Sequence, residues 1–223
     1  NNEGVVGRAQ YDDAGKYFYT GSYRRDGSSR FPPENRWGSF WAIGWSWLIT
    51  KEDFVAPASG WLDMLKLKAS IGSQGNDDLG DENDAYNYTN TYNLQNVEGD
   101  LGLIFRAQGN NKITWETNTN FNAGLEFTLW KGMVSGGFEY FHRKTTDMLF
   151  SFKVPPSMGY SSYFANIGDM VNQGVEFEIN VSPVSTRNVH WDLNLNVTHV
   201  KNKITKLADE HKTSEMDGHK GYY

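Results

Sequence analysis

There is no cysteine in the sequence, which excludes disulfides and thiol chemistry while leaving the compartment open. Nor does any stretch approach the ~18 consecutive apolar residues of a spanning helix. That excludes a helical membrane protein. It does not exclude a β-barrel, whose strands are only half apolar, and a mean hydropathy of -0.63 is compatible with a barrel or a soluble domain. Basic charge is scarce too: 21 Lys and Arg against 27 Asp and Glu give a net charge of -6. With a pI near 5.4 and no basic stripe to neutralise phosphates, no nucleic-acid partner is expected. The opening NNEGVVGRAQ has neither the basic n-region nor the apolar h-region of a signal peptide. The closing EMDGHKGYY has no alternating apolar strand, and the chain reads as an internal fragment. His142, His190, His199, His211 and His219 lack metal-ligand spacing, so neither a metal site nor a cofactor is inferred.

What is abundant is aromatic side chains, 15% of residues, among them 8 Trp, 12 Tyr and 13 Phe. The most informative stretch is WETNTNFNAGLEFTLW. Its odd positions carry Trp115, Thr117, Thr119, Phe121, Ala123, Leu125, Phe127 and Leu129, and its even positions Glu116, Asn118, Asn120, Asn122, Gly124, Glu126 and Thr128. Successive strand side chains point to opposite faces, so this strand separates an apolar medium from water. Lys131-Gly132 reverses the chain, and a return strand from Met133 to about Phe150 sets Val134, Phe138 and Tyr140 opposite Ser135, Glu139 and Arg143. Ordinary strands run about 5–6 residues, whereas a tilted bilayer crossing needs about 9–11. The hairpin predicts a membrane barrel wall.

The same alternation recurs along the chain. It places Val5 to Tyr11, Tyr17 to Tyr23, Trp37 to Trp47, Leu65 to Ile71, Val171 to Val181 and Trp191 to Val197 on strands, about eight in all with the central hairpin. Residues 73 to about 113 read as one long polar insertion, and 151 to 169 as a second loop. Shorter links near 12–15, 48–60, 131–132 and 184–188 alternate with longer ones near 26–35, 73–113 and 151–169. An antiparallel barrel has this arrangement when one rim carries brief periplasmic turns and the other extracellular loops. The expected fold is therefore all-β, an antiparallel transmembrane β-barrel present as a partial wall of about eight strands with long extracellular loops. A soluble all-β carbohydrate-binding or glycoside hydrolase module is the rival. It accounts for the aromatics and carboxylates but not for the long strands or the alternating loop lengths.

The blocks RRDGSSRF, NRWGSF, LKLKASIGSQGN, ITWETNTNFNAGLEF, GGFEYFHRKTTDML, PPSMGYSSYFANIGDMVNQGVEFEIN and HWDLNLNVTHVKNKITKL occur in this order over most of residues 4–207. Together they resemble the SusC/RagA family of TonB-dependent outer-membrane transporters. The resemblance implies a barrel of about 22 strands with an N-terminal plug, set in outer-membrane lipid of the Bacteroidota. It further implies a SusD-like surface lipoprotein as lid, and oligosaccharide or peptide import driven by the TonB complex. Within the class, a siderophore or cobalamin importer is the alternative. On this reading residues 1–223 are part of the barrel domain; plug, TonB-contacting segment and the first and last barrel strands are absent from them.

Candidate residues follow from position. On the water side of their strands, Glu116, Asn118, Asn120, Asn122, Glu126, Glu176, Glu178, Asn194 and Asn196 are expected to face the lumen. The carboxylates among them read as lumen groups rather than an acid–base pair, and no catalytic residue is assigned. Tyr86, Tyr88, Tyr92, Tyr160, Tyr163 and Phe164 lie in loops, where they can contact cargo or a lid. Trp37, Trp41, Trp45 and Trp47 form a lipid-facing stripe ending in an interfacial belt. Asp77, Asp78, Asp81, Glu82 and Asp84 are a weak calcium candidate, because their spacing departs from the D-x-[DN]-x-[DN]-G loop.

Overall fold

The computed structural model describes residues 2–79, 86–97, 100–160 and 162–206. In chain order its strands are β1 (Asn2–Asp13), β2 (Tyr17–Ser28), β3 (Trp37–Leu48), β4 (Leu62–Asn76), β5 (Thr91–Val97), β6 (Asp100–Ala107), β7 (Glu116–Leu129), β8 (Val134–Thr146), β9 (Leu149–Lys153), β10 (Ser162–Asn166), β11 (Asp169–Ser185) and β12 (His190–Lys206). The eight long strands make one antiparallel sheet in the order β1-β2-β3-β4-β7-β8-β11-β12, and β1 and β12 remain its open edges. The barrel is not closed by these strands.

Register carries the sequence alternation across the whole sheet. Tyr19 pairs with Trp45, Ile43 with Ile71, Ile71 with Phe121, Leu125 with Phe138, Phe138 with Phe177, and Phe177 with Val197. Directly opposed residues share a face, so one apolar surface runs from edge to edge. A one-residue slip in any pairing would move that strand's apolar set to the polar side. This is why eight strands of the same period specify one another's register.

At the rim of short connections, Ala14 and Gly15 take positive φ of 54° and 64° between β1 and β2, and Trp130, Lys131 and Gly132 take 53°, 57° and 84° between β7 and β8. The turn at 131–132 is therefore wider than two residues. The 48–60 link folds into two 3-10 turns, Ile49–Lys51 and Asp53–Ala58. At the opposite rim the long connections have structure that the sequence reading missed. The 73–113 insertion contains the β5–β6 hairpin, and the 151–169 loop contains most of the β9–β10 pair. The return strand also ends early, at Thr146, because Asp147 turns the backbone with a φ of 53° before β9 begins.

The core lies at this rim and not behind the sheet. Among the described residues the buried apolar side chains are Phe31, Phe40, Leu79, Ile113, Trp115 and Ala165. Tyr88, Leu149 and Phe164 pack against that cluster. Trp115 is thus a correction: expected at the head of the apolar face of β7, it precedes the strand and is only 8% exposed. Its ring lies 5.2 Å from Phe31 and 5.4 Å from Phe40, and its Nε1 donates to the Arg36 carbonyl at 3.0 Å. An indole with a hydrogen-bonded N–H is stable in such a site. Among the described residues, no second layer covers the sheet side chains elsewhere.

Candidate functional site

The polar face is assembled from alternate residues of the same strands that build the apolar one. Lys66 on β4 pairs with Glu126 on β7, Glu126 with Gly137, Gly137 with Glu178, and Glu178 with Asn196 on β12, a single row across five strands. Ser70 opposes Asn122, Gln74 opposes Asn118, and Asn180 opposes Asn194. All nine residues expected on the water side share this face. Cavities of about 580, 510 and 320 Å³ are bordered by it; the second is lined by Lys68, Glu126, Glu139, Glu176, Glu178 and Asn196, among others.

Charge on this face is organised by Lys68, whose Nζ lies 2.9 Å from Glu126 and 2.8 Å from Glu139. Glu139 pairs directly with Glu176 across the β8–β11 ladder, and like charges so placed repel. A single ammonium between two of the carboxylates offsets part of that repulsion. The LKLK alternation puts Lys68 on the polar face, but only the register supplies its partners. Towards the long-connection rim the polar side chains of β7 are tied to neighbouring groups. Thr145 Oγ1 donates to Asn118 Oδ1 at 2.6 Å, Arg143 Nε to Asn120 Oδ1 at 2.8 Å, and the Leu149 N–H to Glu116 Oε2 at 3.1 Å.

The rim aromatics divide into two roles. Tyr88 and Phe164 pack against the core. Tyr86, at a φ of 81°, meets Tyr88 edge-on at 6.1 Å. Tyr92 meets Phe105 at 5.4 Å, and Phe105 meets Tyr160 at 5.7 Å. Tyr163 ends a second row through Phe152 at 5.6 Å and Phe150 a further 5.2 Å on.

Of the acidic loop, Asp81, Glu82 and Asp84 lie outside the described residues. Asp77 Oδ2 accepts from Ser28 Oγ at 2.6 Å and Asn2 Nδ2 at 3.0 Å, with Arg30 3.8 Å away, and Asp78 lies 4.0 Å from the same guanidinium. Asp77 therefore ties the ends of β1 and β2 to the segment after β4. Among the described residues no group of three His, Cys, Asp or Glu is placed to hold a metal ion.

At the short-connection rim, Glu52 accepts from Tyr17 OH at 2.8 Å, Lys16 Nζ at 3.1 Å and Trp47 Nε1 at 3.1 Å. These donors, Tyr17 first, hold its carboxyl below the ordinary carboxylate range. Tyr17 stacks on Trp47 at 6.0 Å, while at the far end of β3 Arg25 lies 5.3 Å over the Trp37 ring. Positions 37 and 47 are about 33 Å apart along a strand, or about 25 Å at the tilt of a barrel, the height of a bilayer's apolar band. Aromatic residues thus bracket an apolar surface of membrane thickness, with half-exposed Ile43, Leu193 and Leu195 upon it.

Comparison with known proteins agrees with this geometry. The family model described as TonB dependent receptor-like, beta-barrel matches residues 1–218. The TonB-dependent receptor SusC of Bacteroides thetaiotaomicron is 36% identical over 210 residues, covering 91% of this chain and 20% of SusC. TonB-dependent receptor P39 of Formosa agariphila is 33% identical over 206 residues, covering 92% and 20% respectively. The chain thus spans about a fifth of the length of the curated relatives it matches. Among solved structures, the RagAB peptide transporter superposes with a TM-score of 0.84 at 28% identity, over 93% of this chain and 23% of that one. The siderophore receptor PirA from Pseudomonas aeruginosa, at 16% identity and a TM-score of 0.57, shares the fold. A two-faced antiparallel wall of membrane height and a family match over nearly its whole length together place this chain in the outer membrane, in the β-barrel family of the TonB-dependent receptors.

Proposed function

We propose that the chain forms part of the barrel wall of an importer that takes oligosaccharides or peptides across the outer membrane, works with a SusD-like surface lipoprotein and draws energy through TonB. The observation that carries this reading is the sheet itself, an apolar band backed by a face of carboxylates, amides and the two lysines Lys66 and Lys68. Its apolar side meets lipid. Glu116, Asn118, Asn120, Asn122, Glu126, Glu176, Glu178, Asn194 and Asn196 line the lumen, where they solvate cargo rather than serve as acid–base catalysts. The open edges β1 and β12 pair with further barrel strands of the longer transporter, and residues 1–223 form a portion of its barrel domain. SusC and the RagAB peptide transporter, similar to this chain over more than nine-tenths of its length, support glycans or peptides as cargo and a lipoprotein lid.

The test is uptake by cells expressing the full-length transporter with its lipoprotein, offered labelled neutral oligosaccharides and labelled peptides separately. Uptake of one class, abolished when the proton-motive force is collapsed, is expected. Accumulation that persists without it would refute a TonB-powered importer.

A further inference from the structure

We infer that the long-connection end of the lipid-facing surface, on β8, β11 and β12, is a binding site for a phosphorylated glycolipid headgroup of the outer leaflet. Register alone places the charge there, whatever the cargo. His142, Gln173 and Lys201 oppose one another in one row of that face, and Lys144, Val171 and Lys203 in the next row towards the rim. In the other direction the same strands carry Tyr140, Val175 and His199, and then Phe138, Phe177 and Val197. A greasy face thus becomes cationic at one end.

The height is that of a headgroup. Val134 and Lys144 on β8, like Trp191 and Lys201 on β12, are about 33 Å apart along the strand, or about 25 Å at the tilt of a barrel, the height of the apolar band. The lysines therefore stand at the outer border of the band. Phe138, Phe177 and Val197 are exposed below them, a bed for acyl chains.

Lysines at a membrane border often do no more than reach for water, and the arrangement here differs from that. It is one-ended, since on this face the short-connection ends of β8, β11 and β12 carry Val134, Val181 and Leu193. It is local, since at the height of Lys144 the neighbouring β4 and β7 carry Ser73 and Thr119. It is also uncompensated. Lys144, Lys201 and Lys203 are exposed, and none has an ion-pair partner among the described residues. Among those residues no Asp or Glu stands on this face of β8, of β12, or of β11 from Val171 to Val181. Lys68, on the opposite face, instead lies between two carboxylates. Like charges on neighbouring strands repel, and beside hydrocarbon that repulsion is poorly screened. A bound anion offsets it.

The spacing selects the anion. Lys144 and Lys203 are two strand spacings apart, about 10 Å, and Lys201 and Lys203 two strand residues apart, about 7 Å. Their flexible stems let the ammonium groups converge on phosphate oxygens. Between them Gln173 offers an amide donor and acceptor and His142 a ring nitrogen, partners for sugar hydroxyls. A headgroup that joins phosphate to sugar above acyl chains uses cations, amide and apolar bed together, whereas a simple phospholipid leaves the amide and imidazole idle.

The experiment uses the full-length transporter in neutral detergent, with bound lipid counted by native mass spectrometry. The probes are lipid A bearing its phosphates, the same lipid A dephosphorylated, phosphatidylglycerol and inorganic phosphate. One variant combines Lys144→Gln, Lys201→Gln and Lys203→Gln; a charge-matched control combines Lys51→Gln, Lys131→Gln and Arg187→Gln at the other rim. Heat-modifiable mobility establishes that each is folded. Phosphorylated lipid A should be held by the parent and the control, about 100-fold more weakly by the triple patch variant and about 5-fold more weakly by Lys201→Gln alone. Replacing the same three lysines with Arg should preserve binding. If the triple variant does not assemble, Lys201→Gln decides. Equal retention by patch and control variants, or equal retention of dephosphorylated lipid A, overturns the site. Patch-dependent preference for phosphatidylglycerol overturns the glycolipid assignment in favour of a phospholipid. Patch-dependent binding of inorganic phosphate as tight as that of lipid A overturns the lipid assignment in favour of a free anion.

Discussion

The side chain of Asn166 brackets the backbone of Thr114: its Oδ1 accepts the Thr114 N–H and its Nδ2 donates to the Thr114 carbonyl, both at 2.8 Å. An asparagine amide here takes the place of a neighbouring strand, on the segment that leads from the core into β7. The same Nδ2 also donates to the Asp147 carbonyl at 2.8 Å, at the residue where β8 ends. Asn166→Asp keeps the shape, loses both donated bonds and sets a carboxylate against two carbonyl oxygens. It should therefore loosen residues 113–116 more than Asn166→Ala does, by about 1–3 kcal/mol. Hydrogen exchange at the Thr114 amide measures this, with faster exchange in the Asp variant than in the Ala variant expected.

Removing Lys68 should expose the repulsion it offsets. Because the ammonium and both carboxylates are more than a third exposed or nearly so, the loss in Lys68→Met is modest, about 1 kcal/mol or less. Adding Glu139→Gln to Lys68→Met should restore part of it, since Glu176 then has a neutral neighbour. A double-mutant cycle on thermal unfolding of the intact transporter reads the coupling; strictly additive effects would count against the pairing.

The two faces of β7 should differ sharply in their tolerance of charge. Leu125→Arg puts a guanidinium on the apolar surface and should cost about 2–4 kcal/mol if it lies near the bilayer midplane. Asn122→Arg, on the polar row opposite Ser70, should assemble and alter transport instead. Heat-modifiable electrophoretic mobility of the two variants distinguishes them, and poorer assembly of Asn122→Arg would reverse the faces.

The 3-10 segment after β3 should respond to acid. Glu52 is held below the ordinary carboxylate range, so its contribution is complete above the ordinary value of 4.5 and is lost as the pH falls through the lower folded value. Lys16, raised by the same contact, contributes below its ordinary value of 10.5 and loses that contribution as the pH rises through its higher folded value. Hydrogen exchange over residues 49–60 should thus be flat at neutral pH once intrinsic rates are divided out, and less protected in strong acid. Glu52→Gln should abolish the acid response.

The strands and their faces were legible in the sequence because a period of two is local: Phe121, Leu125 and Phe127 declare the apolar side of β7 without reference to any other strand. The alternating connection lengths were equally local, and they gave the antiparallel wall. Trp115 was misjudged for the opposite reason. It continues the alternation by one step, and what removes it from the strand is its packing on Phe31 and Phe40, which are remote from it in the sequence and meet it only in the fold. The β5–β6 hairpin was hidden by polar residues, since Asn93, Gln95 and Asn96 mask the pairing of Leu94 with Leu103 and of Tyr92 with Phe105. The partners of Lys68 and the aromatic rows ending in Tyr160 and Tyr163 both depend on register or on loop closure, which no single stretch encodes.

That the buried side chains gather at one rim means that this chain folds in two solvents. The Phe31–Ile113–Trp115 cluster excludes water by itself, as the interior of a small globular protein does. The remainder of the sheet has hydrocarbon where a sandwich would have its second sheet, so lipid is a structural layer of the protein. Thickness and fluidity of the membrane therefore act on the wall as core mutations act on a soluble domain, while leaving the rim untouched.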